Sequence, residues 1–206
     1  MLSVVSICNL ALAHLGDSAN VISIDPPEGS AQAEHCARFY PQARNALLEM
    51  HAWNFATRRE KLALLSRQDS TWTHRYAMPN QALSVLSIVP EGMSDDYEVA
   101  GRVVPAEYQV EREDGALVVL TDIPDAVMRY VSAAVDPSLY PAMFVEALSW
   151  KLAALLAGPL YKGEAGAAEA KRCEEMFAYH FAAARQQDAK QRRVTLRHIV
   201  PWLEAR

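Results

Sequence analysis

The sequence predicts a mainly α protein with a β insertion, an α+β fold. We expect an antiparallel bundle of about four helices, a small antiparallel β unit inserted between helices 2 and 3, and an extended C-terminal arm. Three observations carry this. Apolar residues recur at three- and four-residue steps up to Met50 and again from about residue 136 to 191, the period of one-faced helices. Between those stretches the runs become short and extended, punctuated by Pro, Asn, Asp and Gly. The segment 192–206 mixes apolar and basic residues around Pro201, which is expected to break any helix there. The expected organisation is therefore a discontinuous helical domain of 1–52 and 132–191, a β-rich insertion of 53–131, and a contact arm of 192–206.

Each element follows from local chemistry. Ser3 can cap a first helix reaching Leu15, with Gly16 as its stop. After a polar loop, Ser30 caps a second helix whose seam is Ala33, Cys36, Tyr40, Ala43, Leu47 and Met50, with a kink expected at Pro41. Extended runs are expected at 72–78, 82–89, 97–99, 103–104, 108–110, 117–121 and 127–131. Asp114-Gly115 between two apolar runs is a hairpin signal, because a two-residue turn of type I′ needs positive φ at both positions. Asp136-Pro137-Ser138 opens a third helix expected to reach Ala157 and stop at Gly158. Only Glu146 and Lys151 are charged between Ala142 and Ala157, so this helix should be central. A fourth is expected from Glu164 to Gln191, with a seam of Ala170, Cys173, Phe177, His180 or Phe181, and Ala184.

The 206 residues are 51% apolar and 22% charged, the composition of a packed globular chain. The net charge of −5 argues against a surface that grips nucleic acid throughout. That charge is uneven: from Arg185 onward the balance is +4, leaving −9 for the rest, a basic tail on an acidic body. Cys8, Cys36 and Cys173 are odd in number and widely spaced, which suits small core residues rather than a disulfide framework. The first apolar stretch lacks the basic start of a signal peptide, and no apolar run is expected to reach the ~18–20 residues that span a bilayer. No glycine-rich phosphate loop, nucleophile elbow or HExxH pattern is present, and the six histidines form no ligand pair on one helix face. No cofactor or metal site is expected, and no catalytic residue is assigned.

The stretch HAWNFATRRE, His51 to Glu60, is the unusual one. One reading places Trp53 and Phe55 inward on an extended segment, with the basic side chains outward. The other uses Trp53, Phe55, Trp72 and Tyr76 with Arg58, Arg59 and Arg75 to stack nucleobases. Paired carboxylates such as Asp95-Asp96, Glu111 with Glu113, and Glu174-Glu175 leave a glycan-cleaving activity as a further alternative.

Several ordered strings bring a resemblance: Ile7-Cys8-Asn9-Leu10-Ala11-Leu12 with Leu15-Gly16; Ala33, Cys36, Tyr40 and Arg44; His51, Trp53, Asn54 and Phe55 with Arg58; Trp72, Tyr76 and Pro79; Tyr97 to Arg102; and the helix Phe144 to Ala157. Together they resemble the tail tubular protein A family of short-tailed bacteriophages, the head-to-tail adaptors, over the chain up to about residue 160. Family members often have Pro where this chain has Ala52, and Glu where it has Ala100. The resemblance implies a non-enzymatic virion structural protein at the head–tail junction, made in the host bacterial cytoplasm. It would form a homo-oligomeric ring of twelve between the portal protein ring and the tail nozzle protein. Viral DNA would pass through the lumen without sequence-specific binding, and no membrane is involved. His51, Trp53, Asn54, Phe55, Arg58, Trp72 and Tyr76 are the expected structural signature. The arm residues Arg192, Arg193, Arg197, His198, Ile199, Trp202 and Leu203 are the expected portal contacts, since Trp and Arg often dominate interface energies.

Overall fold

The computed structural model describes residues 2–18, 20–67, 71–93, 98–99, 102–103 and 106–191. The arm, with Arg192, Arg193, Arg197, His198, Ile199, Trp202 and Leu203, lies outside the described residues. The chain is α+β, with four α-helices and antiparallel sheets. It divides into a helical unit, Met1–Ala56 with Ala134–Gln191, and a β unit built on Thr57–Ala133. These boundaries correct the expected ones at both crossings. Trp53 to Ala56 belong to the helical unit, because Trp53 buries its ring there. Ser132 and Ala133 belong to the β unit, where the N–H of Ala133 bonds the carbonyl of Gln81 at 2.8 Å.

In the helical unit, α1 (Val4–His14) starts where Ser3 and Ser6 cap each other reciprocally, so two orphan amide groups are satisfied. It ends before Gly16, whose φ of +75° a side chain would resist. Ser30 caps α2 (Ala31–Glu49), which runs through Pro41 as one element. Its buried seam ends at Leu47 and Leu48, and Met50, expected to be buried, is 50% exposed at the helix end. Asp136 caps a short 3-10 turn, Pro137–Leu139, and α3 (Ala142–Tyr161) follows. Eleven of its residues are buried, and it packs against α1, α2 and α4 (Gly163–Ala189). The three cysteines are free and buried among these helices. The Cys36 thiol beside Cys8, together with burial, holds the Cys8 thiol far above the ordinary range.

Gly158 is not the stop expected of it. The helix continues to Tyr161, and the chain reverses at Lys162 and Gly163, whose φ values are 53° and 55°. The close helix approach is at Gly166 rather than at Gly158, where an added Cβ would meet nothing within 4 Å. A Cβ placed on Gly166 of α4 would lie 3.2 Å from the carbonyl oxygen of Ala157 and 3.3 Å from the Cα of Gly158. Gly166 thus lets α4 touch the backbone of α3 just after the reversal. At 20 residues and a mean hydropathy of 1.3, α3 is long and apolar enough by those measures to cross a membrane, contrary to expectation. The window is 61% buried within the protein, as a core helix would be.

Among the described residues the β unit holds two larger sheets and one hairpin. The first has the order β1-β9-β4, from Thr57–Lys61, Ala126–Ser132 and Ala82–Pro90. The second has the order β2-β3-β8-β7, from Leu64–Arg67, His74–Ala77, Ala116–Thr121 and Tyr108–Glu113. A separate hairpin pairs β5 (Glu98–Val99) with β6 (Arg102–Val103). All pairings are antiparallel. Asp114 and Gly115 join β7 to β8 with φ of 48° and 85°, the type I′ geometry the sequence asks for. The core here is Leu62, Tyr76, Ile88, Val119, Ala126, Met128 and Tyr130. β1 and β2 were not foreseen: the Thr-Arg-Arg-Glu-Lys of β1 has no apolar alternation, and it is a strand because β9 pairs it along five residues.

Candidate functional site

The segment His51 to Ala56 leaves α2 and makes a tight 3-10 turn over Asn54–Ala56. Trp53 faces inward as expected, but on a turn rather than on the extended segment expected of it. Asp188, in the last turn of α4, is 5% exposed and receives this turn. The backbone N–H of Asn54 donates to its Oδ1 at 3.0 Å, and Asn54 Nδ2 donates to its Oδ2 at 3.0 Å. The same amide also reaches the Asp188 carbonyl at 2.9 Å. His51 Nε2 lies 3.1 Å from Oδ2. A buried carboxylate needs its lone pairs met, and here both oxygens are engaged.

Beside this polar clamp sits an aromatic wedge. Trp53, 1% exposed, donates its indole N–H to the Leu47 carbonyl at 2.9 Å. Its ring meets Phe144 edge-on at 5.0 Å and Phe181 at 6.1 Å. Phe55 packs on Phe144 at 4.8 Å and on Tyr140 at 5.7 Å. Such pairs prefer edge-to-face geometry because ring edges are positive and faces negative. Four signature residues, His51, Trp53, Asn54 and Phe55, therefore converge on one site in the helical unit. Arg58, Trp72 and Tyr76 belong to the β unit. Tyr76 is buried there, its hydroxyl donating to the Ile123 carbonyl at 2.9 Å, while Trp72 is partly exposed with its N–H 3.4 Å from Gln109 Oε1.

The sequence reading missed Asp188. The signal was present: with Cys173, Phe177 and Ala184 it continues the buried seam of α4. A carboxylate on an apolar stripe demands donors from elsewhere, and Asn54 and His51 supply them.

A second cluster joins α1, α3 and α4. The His14 ring stacks on Trp150 at 3.7 Å with planes 8° apart, and Arg172 lies over Trp150 at 5.4 Å. Ser149 Oγ donates to the Glu146 carbonyl at 2.8 Å, so it accepts from His14 Nε2–H at 2.9 Å. This places a proton on Nε2. Burial, then the neighbouring His180 and Arg172, push His14 down to about 4.

An open cleft of about 480 Å³ in the β unit is lined by Glu60, Lys61, Leu62, Met78, Pro79 and Tyr130, among others. Tyr130 donates its hydroxyl to Glu60 Oε2 at 2.8 Å, and burial with this carboxylate raises the phenol to about 12. Glu60 is the one carboxylate among the described residues lining that cleft, whereas glycan cleavage by the usual route needs two. Among the described residues no group of three or more His, Cys, Asp or Glu could hold a metal ion. No known family model matches the chain, and no curated protein matches it either.

Proposed function

We propose that this chain is a head-to-tail adaptor of a short-tailed bacteriophage, forming a ring between portal and tail nozzle with DNA passing through its lumen. The observation that carries this reading is the use made of the residues the resemblance marks out. His51, Trp53, Asn54 and Phe55 are engaged inside the helical unit, by Asp188, Leu47 and Phe144, and form framework rather than a ligand site. The order of helices, β insertion, helices and basic arm supports it as well. An acidic body would let DNA slide without sticking, because like charges repel along the whole wall. The end of the arm is assigned to the portal, with Trp202 and Leu203 as its apolar anchors.

The two alternatives draw less support. Nucleobase stacking requires accessible rings, and Trp53 is buried. Glycan cleavage requires a second carboxylate, which the β-unit cleft does not present among the described residues. Co-sedimentation of the chain with the portal ring of the same virus tests the reading: one adaptor subunit per portal subunit supports it, and no co-sedimentation contradicts it.

A further inference from the structure

Among the described residues β7 is an edge strand of its sheet. All six residues of Tyr108–Glu113 are exposed, and no strand lies beside that edge among the described residues. The pairing of β7 to β8 is regular from end to end, with no bulge or proline to blunt it. Natural proteins rarely leave such an edge bare, because its free N–H and C=O groups template pairing with further chain. Its two faces differ in chemistry. Tyr108 and Val110 stand opposite Thr121 and Val119 and share their face, with Tyr108 37% and Val110 38% exposed. Gln109, Glu111 and Glu113 line the other face, continued by the exposed Glu107.

The sequence of residues 193–197, Arg-Val-Thr-Leu-Arg, is the complement of this edge. Set antiparallel with Val194 against Val110, it places Leu196 against Tyr108, Arg193 against Glu111 and Arg197 against Glu107. Over residues 107–111 apolar residues then meet on one face and opposite charges on the other, the pairings that stabilise a sheet. The pairing stops short of Arg112, which shares the face of Tyr108 and Val110 and would meet Arg192. A slip of one residue would set Val194 and Leu196 on the carboxylate face. We propose that β7 receives the 193–197 segment of a second copy of this chain. This rests on the ring reading, in which each subunit must join the next by a heterologous contact. The first part of the arm links neighbours, and Ile199 to Leu203 remain for the portal.

Cross-linking in the full chain tests this. Directly opposed cross-strand positions bring Cβ atoms within disulfide reach. Under mild copper-catalysed oxidation, Val110→Cys combined with Val194→Cys should give a covalent ladder of dimers, trimers and higher species. Val110→Cys with Thr195→Cys, one residue out of register, should give little. Glu111→Arg added to the first pair should cut the ladder several-fold, and Arg193→Glu added with it should restore the yield. A product linked only within one chain, or no product at all, would overturn the proposal. Val110 is on the exposed edge, so folding is not at stake. Portal loading of the unmodified chain is read separately: loading with no ladder defeats this pairing alone, and absent loading defeats the adaptor reading.

Discussion

Trp53 fills the centre of the wedge, with its ring buried and its one polar atom bonded, so truncation leaves both a cavity and an unpaired carbonyl. Trp53→Ala should therefore lower stability by about 3–5 kcal/mol in urea unfolding. Asp188→Asn keeps the volume but points an amide at the donors of Asn54, and should cost about 2 kcal/mol in the same assay. His14 makes a pH prediction. Its folded value near 4 lies below the ordinary 6.5, so the unfolded chain takes up the proton first as pH falls. Its contribution is complete above about pH 6.5 and is lost as pH falls towards 4, in total on the order of 2 kcal/mol after allowance for partial exposure. The groups facing the ring are Ser149 and Trp150 from α3 and Arg172 and His180 from α4, with Glu169 paired to Arg172. Melting between pH 7 and 4.5 should fall less steeply in His14→Gln, whose amide can still reach Ser149. At this scale the sequence exposed Trp53 and Asn54 as unusual but not their partner, because Asp188 lies 134 residues from Asn54 and contact at that separation leaves no local pattern.

The starts of α1 and α2 were legible, whereas α3 begins at Ala142 and not at Asp136, which caps a 3-10 turn instead. Ser3 and Ser30 announce α1 and α2 because a side-chain oxygen meeting an orphan N–H is a local event. The end of α3 was misplaced because a glycine inside a helix looks in sequence like a left-handed stop, and neither Gly158 in α3 nor Gly166 in α4 is one. The pair separates by experiment. A Cβ at Gly158 meets nothing within 4 Å, so Gly158→Ala should raise stability by about 0.5–1 kcal/mol through helix propensity. Gly166→Ala instead drives a methyl against the backbone of α3, and should lower stability by about 1 kcal/mol or more despite the same propensity gain. Thermal unfolding of the two variants reads the opposite signs. Among the strands, Asp114-Gly115 was decisive and β1 invisible, since an edge strand of charged residues is fixed by its neighbour's backbone rather than by its own pattern.

For the whole molecule, the alternation of helical and short-period stretches was enough to give a four-helix α+β chain with its β unit inserted between α2 and α3. The crossing points shifted by a few residues because burial of Trp53, not periodicity, decides where the helical unit ends. What the chain assembles with is not written in its fold, and the adaptor account stands on the ordered strings, the framework role of His51 to Phe55, and the basic arm. Within that account Trp202→Ala should weaken portal binding by about 2 kcal/mol, measurable as a roughly thirtyfold rise in Kd. The most direct measurement is sedimentation of the purified chain mixed with the portal ring of the same virus, for the full chain and for a truncation after Lys190. The account predicts that the full chain loads in a one-to-one subunit ratio and that the truncated chain stays free. A full chain that also stays free would contradict it.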